Sequence, residues 1–214
     1  VRARLIAGCS HVPGPQGAES ISKPVRAACG YMAQMSKEGK MKQDLTRDNP
    51  TSNPNSVKPS AIVGIGASAG GLEAIETFFK NMPVDSGMAF VVIQHLSPDY
   101  KSLMVELLSR KTEMPVLRVE DGMEVEANHI YLIPPKKSMT IFHGKLLLKE
   151  QEPRDGINLP VDIFLRSLAE DQGEKTVAII LSGTGSDGTR GVRAIKEGGG
   201  LVMVQDADSA RFDG

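Results

Sequence analysis

The chain has 214 residues and a formal net charge of -1, so no global field draws it to nucleic acid or to an anionic membrane surface. No apolar run approaches the roughly 20 residues a membrane-spanning helix needs, so membrane insertion is not expected. No N-terminal signal peptide is evident, although the sequence opens on Val1. The two cysteines, Cys9 and Cys29, both lie near the start, which argues against a disulfide scaffold or a cysteine-based metal site and fits a reducing, cytoplasmic setting.

Residues 1–60 differ from the rest. Val12-Pro13-Gly14-Pro15-Gln16-Gly17 is rich in breakers, Asn49 to Ser56 is a polar, proline-spaced tract, and neither a period of 2 nor one of 3.6 is sustained. The segment reads as a disordered arm or linker, with Met32, Met35 and Met41 as candidate initiators. A single domain is expected over 61–214.

From Ala61 strands and helices alternate. Ala61 to Ile65 is a short apolar run, and Gly66, Gly70 and Gly71 supply permissive backbone before a helix over 71–82, which ends ahead of Pro83. Met88 to Ile93 is a near-continuous apolar run, as expected of a strand covered on both faces. It ends at Gln94-His95. A helix over 99–111 follows, then short strands at 115–119 and 129–133, the second closed by Pro134-Pro135. Residues 138–150 alternate around His143-Gly144 and read as a β-hairpin. After a loop come a helix over 161–172, a buried strand over 176–181, a glycine-rich loop, a helix over about 188–197 and a strand over 201–204. The expected architecture is a doubly wound α/β fold, with a mostly parallel sheet, helices on both faces and one hairpin.

In such sheets ligands bind beyond the carboxyl ends of the strands. Ser68, His95 and Asp187 each follow a strand there, and serine, histidine and aspartate are the parts of a hydrolytic triad. Gly66-Ala67-Ser68-Ala69-Gly70 has the G-x-S-x-G pattern that exposes a serine on a tight strand-to-helix turn. Bland readings stand beside this one. Ser68 is small and suits a glycine turn, His95 could be a hydrogen-bonded structural histidine, and Asp187 could cap the helix beginning at Gly188. His11, His129 and His143 read as structural or solvated. Gly64-Ile65-Gly66-Ala67-Ser68-Ala69 also fits a dinucleotide fingerprint. That reading lacks an acidic residue at the end of the second strand, where Gln94-His95 stands, and Asp85 falls in the loop before it.

Gly66-Ala67-Ser68-Ala69-Gly70-Gly71, Gln94-His95, Ile133-Pro134-Pro135, Leu181-Ser182-Gly183-Thr184-Gly185-Ser186-Asp187-Gly188 and Val204-Gln205-Asp206 together resemble the catalytic domain of the chemotaxis protein-glutamate methylesterases, the CheB family. Asp85-Ser86-Gly87-Met88-Ala89-Phe90 and Leu168 to Glu174 resemble the branch found in methylesterase–methyltransferase fusion proteins.

The resemblance implies hydrolysis of glutamyl methyl esters, and in many members deamidation of glutamines, on the cytoplasmic helices of chemoreceptors. It implies Ser68 as nucleophile, His95 as general base then acid, and Asp187 as the carboxylate that orients the histidine. Backbone N–H groups of Ala69 and of the Thr184-Gly185 stretch are the candidate oxyanion donors. No metal or cofactor is called for. The 60 residues ahead of the domain cannot hold the receiver domain of response-regulator members. The family domain continues beyond Phe212-Asp213-Gly214, so the domain reads as incomplete at its C-terminus, with a methyltransferase domain downstream if the protein is a fusion. Two other readings remain: a catalytically silent scaffold within a signalling protein, and a nucleotide-binding module.

Overall fold

The computed structural model describes residues 3–5, 57–68, 70–94, 103–151, 159–183 and 186–211. A seven-stranded sheet runs in the order β1-β10-β9-β2-β3-β6-β4. Its strands are β1 (Ala3–Leu5), β2 (Ile62–Ala67), β3 (Ala89–Gln94), β4 (Val116–Arg118), β6 (Ile130–Leu132), β9 (Thr176–Ile180) and β10 (Leu201–Gln205). All pairings are parallel except that of β1 with β10. The helices are α1 (Gly71–Lys80), α2 (Met104–Ser109), α3 (Pro160–Gln172) and α4 (Thr189–Glu197). This is the mostly parallel α/β fold read from the sequence. Among the described residues no helix is long and apolar enough to cross a membrane.

β2 is buried along its whole length and lies between β3 and β9. Its alternate side chains serve two cores. Val63, Ile65 and Ala67 pack with Ile75, Phe78 and Phe79 of α1 and with Met104 and Leu108 of α2. Ile62 faces the other layer, with Val161, Phe164, Leu165 and Leu168 of α3. Phe78, Phe79 and Phe90 meet edge to face at 5.2 to 6.1 Å. Burying each ring contributes about 1.5–3 kcal/mol. That outweighs the roughly 0.3 kcal/mol that α1 forgoes by having Gly70 rather than a polar side chain at its N-cap.

On the α3 side β2 presents Gly64 and Gly66. A Cβ at Gly64 would stand 2.6 Å from Leu165 Cδ2, and one at Gly66 would stand 2.6 Å from Val161 Cγ1. The glycines of the apparent dinucleotide fingerprint are thus spent inside a strand, where they let a helix press on the sheet.

The hairpin joins β7 (Lys137–Phe142) to β8 (Lys145–Glu150). His143 and Gly144 both have positive φ, 50° and 73°, as a two-residue type I′ turn requires. The Asp171 carboxylate of α3 accepts the N–H of His143 and, at 3.0 Å, that of Gly144, which ties the turn to the helix. A third strand, β5 (Met123–Glu124), pairs with β8. Its two residues are too few to show a period.

Of the stretch read as an arm, Ala3–Leu5 forms the edge strand β1 against β10, and Val57 accepts a hydrogen bond from the Ala127 N–H at 2.8 Å. Residues 6–56 lie outside the described residues, as do 95–102, which contain the first part of the helix expected over 99–111.

Val161 is β-branched and held in few rotamers, so it gives little room to a new methyl. Gly66→Ala should therefore lower stability by about 1–3 kcal/mol. Urea unfolding followed by far-UV circular dichroism checks this, with a shifted midpoint and an unchanged slope as the expected result.

Candidate active site

Ser68 stands immediately after β2, half-buried, at the carboxyl edge of the sheet. Its turn is fixed by backbone hydrogen bonds. The Ser68 N–H donates to the Ser182 carbonyl at 3.1 Å, and the Ser68 carbonyl accepts the Gly71 N–H at 3.0 Å. Gly70 takes the left-handed conformation, φ 75°, that turns the chain into α1. The loops after β2 and β9 press together closely. A Cβ on Gly183 would lie 2.7 Å from Ser68 Cβ and 3.3 Å from its nitrogen.

The loop after β10 completes this rim. The Ser182 N–H donates to Gln205 Oε1 at 2.8 Å, and Gln205 Nε2 donates to the Ser209 carbonyl at 2.9 Å. Three strand ends are therefore joined by one hydrogen-bonded chain running through Ser68, Ser182, Gln205 and Ser209.

Asp187 lies on the same loop as Ser182 and Gly183. Its carboxylate has partners outside the helix that follows it. It reaches across to the N-terminus of α3, where Oδ2 accepts the Val161 N–H at 3.0 Å and Oδ1 accepts the Asp162 N–H at 2.9 Å. α3 needs such an outside acceptor. The residue at its N-cap is Leu159, which offers no side-chain oxygen, and its first residue, Pro160, has no N–H. A carboxylate on the next two N–H groups also meets the positive end of the helix dipole.

Asp162, only 4% exposed, returns the contact. Its Oδ1 accepts the N–H of Gly191, in the first turn of α4, at 2.7 Å. The N-cap of α4 is Gly188, which likewise supplies no side chain.

Of the residues singled out in the sequence, Ser68 and Asp187 are thus placed on two loops in direct contact. His95, Ala69, Thr184 and Gly185 lie outside the described residues. His95 directly follows Gln94, the last residue of β3, which pairs in register with Ala67, the last residue of β2.

Gln94 is only 5% exposed, and among the described residues neither of its amide atoms has a hydrogen-bonding partner. It lines a cavity of about 20 Å³ with Met104, Arg118 and Leu132, close to the room one water occupies. Among the described residues no cluster of three or more His, Cys, Asp or Glu stands ready to hold a metal ion. Burial pushes the Tyr131 phenol above its ordinary value.

The family model described as CheB methylesterase matches residues 63–214. The chain belongs to the CheB methylesterase family.

The crystal structure of the Thermotoga maritima CheB methylesterase catalytic domain superposes with a TM-score of 0.65 at 33% identity, covering 72% of this chain and 84% of that one. A protein-glutamate methylesterase/protein-glutamine glutaminase 1 from Rhodospirillum rubrum is 32% identical over 168 residues, covering 73% of this chain and 43% of the relative. An uncharacterized 104.1 kDa protein from Rhodobacter capsulatus is 49% identical over 111 residues, covering 52% of this chain and 12% of the relative. The chain thus spans less than half the length of these two curated relatives.

Asp162, Gln94 and Gln205 were given no role by the sequence reading. A carboxylate in the otherwise apolar first turn Val161-Asp162-Ile163-Phe164-Leu165 was the one available signal for Asp162. A methyl group at position 183 must push the Ser68 backbone. A displacement of about 1 Å at a reacting group costs on the order of a hundredfold in rate. Gly183→Ala should therefore slow labelling of Ser68 by a fluorophosphonate about that much, as timed by gel fluorescence on protein shown to be folded.

Proposed function

We propose that this chain is a serine hydrolase that demethylates glutamyl methyl esters on the cytoplasmic helices of chemoreceptors, acting in the cytoplasm, with deamidation of glutamines as a second activity. The observation that carries the reading is the contact between the Ser68 turn and the loop bearing Asp187. Membership of the CheB methylesterase family and the printed names of its relatives support the substrate class.

A serine hydroxyl is a weak nucleophile until a base removes its proton. In this reading His95 accepts that proton as Ser68 Oγ attacks the ester carbonyl carbon. The carbonyl oxygen then carries the negative charge of the tetrahedral intermediate. Backbone N–H groups of Ala69, Thr184 and Gly185 are the proposed donors to it. Collapse breaks the bond to the methoxy oxygen, which takes the proton from His95 and leaves as methanol. Water then attacks the acyl-enzyme, gives up a proton to His95, and releases glutamate and the free serine. For a glutamine the leaving group is ammonia. Asp187 holds the imidazole in the productive tautomer and stabilises its charged form.

A methyltransferase domain fused downstream remains part of the proposal. The similarity to a protein of 104.1 kDa supports a larger setting for this domain, since such a chain has room for several others.

The test is methanol release from a methylated chemoreceptor cytoplasmic fragment. Ser68→Ala should abolish release, and Asp187→Asn should lower turnover by about 10⁴-fold, the loss seen when a triad aspartate is neutralised. Release by a folded Ser68→Ala variant at the parent rate would remove Ser68 as the nucleophile, and no release by the folded parent chain, with Ser68→Ala indistinguishable from it, would remove the esterase reading and leave a scaffold role.

A further inference from the structure

α3 and α4 lack caps of their own and cap each other. Asp187, which precedes α4, takes two N–H groups of α3, at 3.0 and 2.9 Å. Asp162, in the first turn of α3, takes the Gly191 N–H of α4 at 2.7 Å. The helices can meet this closely because position 191 is glycine: a Cβ there would stand 2.6 Å from Leu165 Cβ and 3.2 Å from Asp162 Cα.

One residue closes this ring at both ends. The backbone N–H of Asp162 holds the Asp187 carboxylate, and its own carboxylate holds the helix that Asp187 leads into.

We propose that Asp162 is a positioning residue for the reaction, fixing the Asp187 carboxylate by clamping the first turn of α4 to the first turn of α3. The proposal rests on the reading of Asp187 as the carboxylate that orients the histidine. What Asp162 supplies is an acceptor at one place. Its charge strengthens the bond at the start of α4, but the positioning role turns on where the acceptor stands. Asparagine keeps an acceptor oxygen at the same distance from the backbone. Glutamate keeps the charge and moves the acceptor by a methylene. Alanine removes the acceptor.

The experiment measures kcat and KM for methanol release by the parent chain and by Asp162→Asn, Asp162→Glu and Asp162→Ala. Circular dichroism establishes that each is folded, and Ser68→Ala serves as control. Asp162→Asn is expected to keep kcat within about threefold. Asp162→Ala should lose about tenfold in kcat, the order expected when one buried hydrogen bond no longer aids positioning. Asp162→Glu should fall between or lower, and KM should stay within about twofold throughout. Should Asp162→Ala not fold, the ordering of asparagine above glutamate decides alone. Equal kcat for the asparagine and glutamate variants, or a folded alanine variant with parental kcat, overturns the proposal. A Ser68→Ala control that still releases methanol overturns the underlying reading of a Ser68, His95 and Asp187 triad instead, and a folded parent chain that releases none overturns the esterase reading, so these failures are told apart.

Discussion

α3 lies as close to the sheet as it does because β2 carries no side chain at positions 64 and 66. Val161 and Leu165 occupy the space that two Cβ atoms would fill. This contact fixes the height of α3 on the sheet, and so brings its N-terminus to the carboxyl edge of the strands. Everything at the rim on that side is measured from there. A helix seated one residue differently would carry the N–H groups of Val161 and Asp162 away from the loop that follows β9. The loop would then lose the anchor for its carboxylate.

The chain has built both helix starts without local caps, and this gives the rim its character. At Leu159 a serine, threonine, aspartate or asparagine would ordinarily stabilise the helix by about 1 kcal/mol, and at Gly188 by roughly 0.3 kcal/mol. A local cap acts within a few residues and says nothing about the rest of the fold. Caps supplied across space do the same electrostatic work and also join two elements. Asp187 links a loop to α3, and Asp162 links α3 to α4. Backbone hydrogen bonds from Ser68 to Ser182, and the Ser182 N–H held by Gln205, link the same loop to β2 and β10. The rim is held by directional bonds between neighbouring loops, while the area-dependent burial of aromatic and aliphatic side chains takes place deeper in the two cores.

Strand and helix order was legible in the sequence because buried parallel strands are short, apolar and bounded by breakers. Val63 to Ile65, Phe90 to Ile93 and Val177 to Ile180 all announce themselves in this way. The hairpin was legible from His143-Gly144, since few residue pairs tolerate two positive φ angles. β5 was not legible, being two residues long and held by partners far away in sequence. Gly64 and Gly66 were ambiguous in the sequence. Their spacing fits a phosphate loop, and only the approach of Val161 and Leu165, about a hundred residues on, shows what fills the space beside them. At the rim, the residue types and their strand ends were readable for Ser68 and Asp187. The partners of Asp187 were not, because an aspartate just before a helix suggests a cap for that helix, and the competing N–H groups belong to another.

On the sequence alone a cap for the helix beginning at Gly188 and a catalytic orienter were opposed readings of Asp187, whereas the carboxylate holds the start of α3. That hold is compatible with the orienting role proposed for it. A carboxylate has about four lone-pair sites on two oxygens. The N–H groups of Val161 and Asp162 take one on each oxygen, which leaves capacity for further donors. The two roles also favour each other. A carboxylate that orients an imidazole works best when its own position is fixed before substrate arrives, because rearrangement during the reaction would add to the barrier. Two N–H groups of a helix seated against the sheet provide that fixing more firmly than bulk water would. A cap from elsewhere in the chain, rather than from Leu159, thus lets one carboxylate hold a helix and still take up the orienting role proposed for it.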